Sequence, residues 1–148
     1  MHQKILIATD GTELAEKAVS YGLSLAQSLK SQVSFVTITE PWIAGRTIER
    51  LQAAKEKPID EYESTMAVWA EGVLSTAAKK AKEMSVDCET IHVKDQHPAE
   101  GIIETAESQG CSLIIMASHG RRGLKMVLLG SVANEVVSQS PVPVLIFR

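Results

Sequence analysis

Short apolar segments alternate with longer segments of helical periodicity along the chain, and this alternation restricts the fold more than any other feature. Five segments are strand-like, namely residues 4–9, 32–39, 86–94, 111–117 and 142–147. Four intervening segments are predicted helices, namely residues 14–29, 58–84, 98–110 and 131–139. Parallel strands need crossover connections of this kind. The sequence therefore predicts a single α/β domain over residues 1–148, with helices on both faces of a mostly parallel sheet.

Strand composition predicts the order of the strands in the sheet. Strands buried on both faces are continuous apolar runs, whereas edge strands tolerate polar residues or proline. Residues 4–9 and 111–117 are such runs, while the third strand contains Asp87 and His92 and the fifth contains Pro143. The right-handed crossover rule then favours a doubly wound, Rossmann-like sheet of five parallel strands in the order 3-2-1-4-5. Ligands of such sheets bind where the winding reverses, here between the first and fourth strands.

Composition and patterning exclude several classes of protein. With a net charge of -3 over 148 residues, the chain lacks the strongly basic character typical of nucleic-acid-binding proteins. No apolar run approaches the roughly 18 residues of a membrane span, and the segment MHQKILIATD does not have the layout of a signal peptide. We therefore expect a cytoplasmic protein that binds neither nucleic acid nor membranes, with Cys88 and Cys111 reduced and structural.

Two loops meet at the predicted reversal point, TDGT at residues 9–12 and MASHGRRGLKMVLLGS at residues 116–131. Glycine permits backbone shapes and close approaches that a Cβ atom would block, and free N–H groups at such turns bind anions. The longer loop carries three glycines, Gly120, Gly123 and Gly130. It is therefore suited to an anionic ligand.

Charged and hydroxyl side chains in these loops favour a phosphorylated ligand. Arg121 and Arg122 supply planar donors that match phosphate oxygens. Ser131 opens a helix whose N-terminus favours phosphate, and its hydroxyl either caps the helix or touches the ligand. Asp10 either bonds a ribose hydroxyl or holds a Mg²⁺ ion that bridges phosphates. A purely structural interpretation remains open, in which the glycines form turns and the arginines are solvated.

Other chemistries fit the sequence less well. The P-loop, dinucleotide-binding and nucleophile-elbow motifs are absent. His119 contacts a phosphate or carries a proton in one interpretation, and is a neutral hydrogen-bonding loop residue in the other. His92 and His97 do not have metal-ligand spacing, and Met66 and Trp69 are assigned to the core.

The segments KILIATDGTELAEKAV, MASHGRRGLKMVLLGSVANEVV and SPVPVLIFR resemble the universal stress protein family, and the resemblance covers essentially the whole chain. Nucleotide-binding members carry Gly, two residues, Gly, nine residues, and then Gly followed by Ser or Thr. Gly120, Gly130 and Ser131 match the second glycine, the third glycine and the hydroxyl position. Ala117 occupies the first position and adds one methyl group to the family's glycine, while Gly123 lies outside the pattern.

The resemblance implies an adenine nucleotide, ATP or AMP, as ligand, with Mg²⁺ as a companion of the phosphates. It implies that Ala8 and Asp10 line the adenosine side and that Ile38 touches the adenine. The predicted contact residues as a set are Ala8, Thr9, Asp10, Ile38, Met116, Ala117, His119, Gly120, Arg121, Arg122, Gly123, Gly130, Ser131, Val132 and Ala133.

Two further segments bear on partners. Val142 to Phe147 is apolar and lies at a predicted sheet edge, which is prone to association if left unpaired. Pairing with a second copy in a two-fold homodimer would satisfy this strand, and the resemblance implies the same arrangement. The alternative is an edge protected by Pro141 and Pro143. The segment from Pro41 to Lys57 is interpreted either as a lid over the adenine side or as a short surface helix.

Three functional hypotheses remain open. The first is a homodimeric nucleotide-binding stress protein whose occupancy is read by an unidentified protein partner. The second is a nucleotide-free dimerisation or adaptor protein, because family members without the glycine motif do not bind ATP and Ala117 departs from that motif. The third is an ATP hydrolase. Its hydrolysis is expected to be slow, because phosphoryl transfer needs a metal site and a residue that positions the nucleophile, and Asp10 is the single carboxylate in the two loops.

Overall fold

The computed structural model describes residues 3–41, 58–120 and 129–148, and within these ranges it has five strands and four helices. In chain order they are β1 (Lys4–Ala8), α1 (Glu13–Leu29), β2 (Gln32–Thr39), α2 (Pro58–Glu83), β3 (Cys88–Lys94), α3 (Pro98–Ser108), β4 (Leu113–Ala117), α4 (Ser131–Gln139) and β5 (Val144–Phe147). The strands are parallel and have the order β3-β2-β1-β4-β5, which confirms the predicted sheet. Within the described ranges, no helix is both long and apolar enough to cross a membrane. Of the predicted lid or surface helix, residues 42–57 lie outside the described residues.

The sheet has a buried apolar layer on each face, which is why β1 and β4 are continuous apolar runs. Ile5 and Ile7 of β1 pack with α1 and α2, whereas Leu6 between them packs with α3 and α4. Full burial of a side chain of this size contributes about 1.5–3 kcal/mol relative to exposure. The same alternation in β4 sends Ile115 towards α1 and Ile114 towards α4.

Three strands begin two residues later than predicted because the preceding residues close a helix or a turn. The amide N–H of Val86 donates to Ala81, and that of Cys111 donates to Ala106, so both residues terminate helices. Val142 instead exchanges hydrogen bonds with the hydroxyl of Ser140. The predicted end of the first helix at Lys30 is confirmed, because this residue is the C-cap and has a left-handed conformation with φ 54°.

Both cysteines are free thiols, with Cys111 buried and Cys88 half-buried. Burial raises the pKa of each thiol, and the neighbouring Asp87 carboxylate adds to the rise at Cys88. A raised pKa favours the neutral thiol, which is a poor nucleophile. These environments agree with the structural role expected for both residues.

A polar network ties three strands together at the amino-terminal edge of the sheet. Glu89 of β3 accepts a 2.7 Å hydrogen bond from the hydroxyl of Ser34 in β2, which is fully buried. The ammonium group of Lys4 in β1 lies 2.6 Å from the same carboxylate and 3.2 Å from the side-chain oxygen of Gln109. Hydrogen bonds from Lys4 and Ser34 lower the pKa of Glu89. The network therefore joins the edge strand to the centre of the sheet.

Lys4→Met is expected to destabilise the protein by less than about 1 kcal/mol near neutral pH, as is usual for partly exposed ion pairs. Because the folded-state pKa of Glu89 is lowered, its contribution is present above the unfolded-state pKa and disappears as the pH falls through the folded-state pKa. The difference between Lys4→Met and wild type should therefore shrink as the pH falls below the ordinary carboxyl range. Urea unfolding across this pH range measures it. Lys17→Met, which removes an exposed pair with Glu13, serves as the control, and an equal pH trend in both variants would contradict the assignment.

Candidate ligand-binding crevice

The carboxyl ends of β1 and β4 lie side by side, since Ile5 pairs with Leu113 and Ile7 with Ile115. β1 also pairs with β2 on its other side, so the winding of the sheet reverses between β1 and β4. The loop of residues 9–12 follows β1, and residues 118–120 and 129–130 are the described parts of the loop after β4. The two loops predicted to meet at the reversal point therefore do so.

Asp10 is held in one orientation by the residue that starts α1. Its Oδ1 atom accepts hydrogen bonds from the backbone N–H of Thr12 at 3.1 Å and from the Thr12 hydroxyl at 2.7 Å. The same hydroxyl accepts a 3.3 Å hydrogen bond from the N–H of Ala15, so Thr12 is the N-cap of α1. A carboxylate fixed by two donors beside a helix N-terminus is a preformed contact point for a ligand hydroxyl or a cation.

The other oxygen of this carboxylate lies against the backbone of the second loop. A Cβ atom built on Gly120 would be 2.7 Å from Oδ2 of Asp10, closer than nonbonded atoms approach. Glycine at this position therefore lets the Asp10 carboxylate lie against the loop backbone, whereas a Cβ atom would displace it. The contact connects the β1 loop directly to the glycine motif.

Gly130 occupies a second close approach, at the start of α4. Its N–H donates a 2.7 Å hydrogen bond to the carbonyl oxygen of Ser118, and a Cβ atom on Gly130 would lie 3.0 Å from that oxygen. Ser118 is 2% exposed, and its own N–H donates to the carbonyl of Phe147 at 2.8 Å. Gly130 is the N-cap of α4, so Ser131 is the first helical residue, and the capping alternative for its hydroxyl is wrong.

The first turn of α4 presents backbone donors. The first hydrogen bond within the helix runs from the N–H of Asn134 to the carbonyl of Gly130, at 2.9 Å. The N–H groups of Ser131, Val132 and Ala133 precede it and have no acceptor within the helix. Such a helix start favours an anionic group.

His119 projects from the same loop with one ring nitrogen engaged. Its Nδ1 atom shares a 2.9 Å hydrogen bond with the hydroxyl of Ser118. Its Nε2 atom is buried and has no hydrogen-bond partner among the residues that the structure describes. Ser118 therefore orients the ring, and the second ring nitrogen is left for another group.

The predicted contact residues divide between the two faces of the sheet. Five of them pack in one cluster on the α3/α4 face, namely Ala8, Ile38, Met116, Val132 and Ala133. Ile38 also fills the space beside Gly101 of α3, where a Cβ atom would lie 2.8 Å from its Cδ1 atom. These five side chains form an apolar floor on one side of the reversal point.

Two predicted contact residues have their side chains on the opposite face. The Oγ1 atom of Thr9 accepts a 3.3 Å hydrogen bond from the N–H of Gly11, and Thr9 lines a small pocket together with Val73 of α2. Ala117 packs against α1. The signal for this division is the period of two in a strand, because neighbours such as Met116 and Ala117 must point to opposite faces.

Three predicted phosphate contacts, Arg121, Arg122 and Gly123, lie outside the described residues. Conversely, the sequence prediction assigns no contact to Thr12, which orients Asp10, and places Ser118 only within the predicted phosphate loop of residues 117–123, without its role in orienting His119. For Thr12 the available signal is its position two residues after Asp10, the spacing at which an aspartate side chain bonds its own backbone in a turn.

The remaining histidines have partners of their own. Nε2 of His92 shares a 2.9 Å hydrogen bond with Oγ1 of Thr39, and burial together with the nearby Lys94 lowers the pKa of His92. Nε2 of His97 lies 3.0 Å from Oε2 of Glu135. Within residues 3–41, 58–120 and 129–148, no group of three His, Cys, Asp or Glu side chains is arranged to hold a metal ion.

An open cleft of about 430 Å³ lies away from the crevice, on the α1/α2 face. Its lining includes Glu16 and Lys80, which form a 3.5 Å ion pair, and the rings of Tyr21 and Phe147. The charged residues of its lining are two acids and two bases, Glu13, Glu16, Lys17 and Lys80.

The fold and the crevice define a doubly wound α/β protein in which the loops after β1 and β4 meet at the reversal point of the sheet. The model of the universal stress protein family matches residues 1–148, and the chain belongs to this family. It is 33% identical to universal stress protein YxiE of Bacillus subtilis over 149 residues, covering 100% of both chains. It is 31% identical to universal stress protein MJ0577 of Methanocaldococcus jannaschii, covering 100% of this chain and 96% of that protein.

Solved structures agree with this assignment. The structure of MJ0577 superposes with a TM-score of 0.81 at 28% identity, covering 99% of this chain and 96% of that one. Two further structures have TM-scores of 0.70, a universal stress protein in complex with cAMP at 21% identity and one from Archaeoglobus fulgidus in complex with dAMP at 18% identity. They cover 99% of this chain and 97% of the cAMP-bound one, and 100% of this chain and 98% of the dAMP-bound one. At these identities the last two establish the shared fold.

Proposed function

We propose that the protein binds an adenine nucleotide, ATP or AMP, in the crevice between the β1 and β4 loops and acts as a cytoplasmic stress-response binding or signalling protein. The observation that carries the proposal is the contact of the Asp10 carboxylate with Gly120. It brings an oriented acceptor and a glycine-lined anion site to one point of the sheet. The ligand-bound relatives, which hold cAMP and dAMP, share an adenine and a phosphate.

Each part of the nucleotide has a matching part of the crevice. The part of the apolar floor that the strands contribute, namely Ala8, Ile38 and Met116, suits the adenine ring. The phosphates lie at the start of α4, within reach of the N–H groups of Ser131 to Ala133, and Nε2 of His119 is a further partner. The predicted contacts of Arg121, Arg122 and Gly123 belong to the same phosphate region.

Asp10 is assigned to the ribose rather than to Mg²⁺. Its Oδ1 atom already accepts two hydrogen bonds from Thr12, which fix the carboxylate and reduce its capacity as a metal ligand. Mg²⁺ usually retains several waters and binds through one or two carboxylates together with phosphates. In the ATP-bound form, we therefore place Mg²⁺ mainly on the phosphates, with Asp10 accepting a hydrogen bond from a ribose hydroxyl.

Mass spectrometry of the small molecule released from freshly purified protein tests the proposal, together with isothermal titration using ATP, AMP and cAMP. We expect saturable binding of at least one of the three, with GMP and CMP binding more weakly because the apolar floor is assigned to adenine. The absence of binding heat with every adenine nucleotide, and of a copurified nucleotide, would contradict the proposal. That result would favour the nucleotide-free adaptor, in which the glycine loop is only a structural turn.

We further propose that the protein is a homodimer paired through β5, within the predicted segment Val142 to Phe147. The carbonyl of Pro143 accepts a 2.9 Å hydrogen bond from Ile114, and that of Phe147 accepts one from Ser118. Alternate residues of a strand direct their backbone groups to opposite sides, so Val144 and Ile146 direct theirs away from β4. The missing N–H of Pro143 faces β4, and this proline therefore does not protect the outer edge.

At the outer edge of β5, the backbone groups of Val142 are already hydrogen-bonded, whereas those of Val144 and Ile146 have no partner strand among the described residues. Ser140 bonds both backbone groups of Val142, at 3.1 Å to the N–H and 2.7 Å to the carbonyl. The side chains of β5 are all partly exposed, on both faces of the sheet. An antiparallel copy whose two-fold axis passes at Leu145 pairs Val144 with the partner's Ile146 and satisfies the open groups of both strands.

A further inference from the structure

The methyl group of Ala117 lies on the opposite side of the sheet from the apolar floor of the crevice. Ala117 is 8% exposed and packs with Ala15 and Ala18 of α1, which are 3% and 0% exposed, with Phe147 beside them. The preceding residue, Met116, packs on the α3/α4 face. Because successive side chains of a strand point to opposite faces, the Cβ atom at position 117 is directed at α1.

This contact connects the two loops of the crevice. α1 begins immediately after Thr12, which holds the Asp10 carboxylate. Ala117 ends β4, three residues before the Gly120 backbone on which that carboxylate lies. The pairing of β1 with β4 brings these two loops together, and the packing of α1 on β4 at Ala117 lies between Asp10 and Gly120 within that arrangement. Protein interiors are close-packed, so a change of one or two methyl groups there must move the helix or leave a void.

We propose that Ala117 is a positioning residue: its methyl group seats the start of α1 against β4 and so holds Asp10 against Gly120, without touching the nucleotide. The proposal rests on the nucleotide binding proposed above. It follows that the departure from the family's first glycine does not by itself remove binding. The methyl group occupies a space provided by Ala15 and Ala18 rather than the space of a ribose or phosphate.

Isothermal titration with AMP and urea unfolding of Ala117→Gly, Ala117→Val and wild type test this. Ala117→Gly should weaken AMP binding by about threefold and unfold at a lower urea concentration, because the contacts with Ala15 and Ala18 that seat α1 are lost. Ala117→Val overfills the contact and should weaken AMP binding by about fivefold or more. Ala18→Gly opens space on α1, so the double variant with Ala117→Val should recover most of the lost AMP affinity. Its urea midpoint should also be higher than the sum of the two single-variant losses predicts.

The outcomes separate this proposal from the proposed function. AMP affinity in Ala117→Gly that equals the wild-type affinity overturns the positioning role, because the methyl group then does not hold Asp10 in place. Affinity that is tighter by about fivefold or more, or binding that appears only in that variant, overturns it as well, since the methyl group then obstructs the ligand. If neither wild type nor Ala117→Gly binds AMP, and parallel titrations with ATP and cAMP also show no binding, the proposed function fails, whereas the methyl group is shown not to be the obstacle. In that case the urea midpoint of the double variant tests the packing of Ala117 on α1. If Ala18→Gly does not restore stability to Ala117→Val, this packing is refuted.

Discussion

Gly120→Ala is expected to lower the affinity for AMP by about tenfold or more, which corresponds to about 1.4 kcal/mol of binding free energy. The added Cβ atom would lie 2.7 Å from Oδ2 of Asp10. The carboxylate is the far end of a rotatable side chain, so it moves away and loses its hydrogen bonds from Thr12 while the backbone stays in place. Isothermal titration measures the affinity, and urea unfolding should show a change in stability of about 1 kcal/mol or less.

Gly72→Ala is the matched control for this substitution. Gly72 lies within α2 with open space around the position of a Cβ atom, so alanine fits without displacing a neighbour. In a helix interior the change from glycine to alanine stabilises by about 0.8–1 kcal/mol. AMP affinity should be unchanged in this variant. If Gly120→Ala also bound AMP as tightly as wild type, the assignment of Asp10 to the ribose would be wrong.

The sheet order could be predicted because the composition of each strand reflects whether one or both of its faces are buried. β1 and β4 are apolar at every core position since both of their faces are covered, and β3 is polar since it lies at an edge. The order then follows from crossover handedness, and with it the meeting of the Asp10 loop with the Gly120 loop. The residue at which β5 begins was harder to predict from the sequence, because the Ser140 hydroxyl hydrogen-bonds the backbone of Val142 in place of a neighbouring strand.

The internal geometry of the crevice was less predictable than its location. The family motif treats position 117 as part of the ligand site, whereas the strand period directs its side chain to α1. The role of Thr12 depends on the conformation of a loop, which spacing alone does not determine. The close contact of Asp10 with Gly120 joins residues 110 positions apart in sequence, and its detail depends on loop conformations beyond the pairing of β1 with β4.

Ile146→Pro is expected to convert the proposed homodimer to a monomer at micromolar concentration. Proline removes the N–H of Ile146, which points away from β4, and its ring occupies the space of the partner strand. An edge strand tolerates proline where the N–H faces outwards, so the fold should persist with a modest loss of stability. Multi-angle light scattering should give the 16.0 kDa mass of one chain for the variant and twice that mass for wild type. Val142→Pro is the control, because the N–H that it removes is already bonded to Ser140 and is not available to a partner.

The register of the pair is tested by Leu145→Cys. With the two-fold axis at Leu145, this residue faces the partner's Leu145 in a non-hydrogen-bonded antiparallel pair, where Cα atoms are about 4.5 Å apart. That separation is within the range that a disulfide spans, so mild oxidation should cross-link the variant efficiently. Val144→Cys faces the partner's Ile146 instead and should not cross-link to itself. The native thiols give little background, because Cys111 is buried and Cys88 lies in β3 at the opposite edge of the sheet. Efficient cross-linking through Val144→Cys but not through Leu145→Cys would show that the two-fold axis lies at Val144. The backbone groups of Ile146 would then lack a partner, which contradicts the argument that the N–H and carbonyl groups of Val144 and Ile146 are all paired.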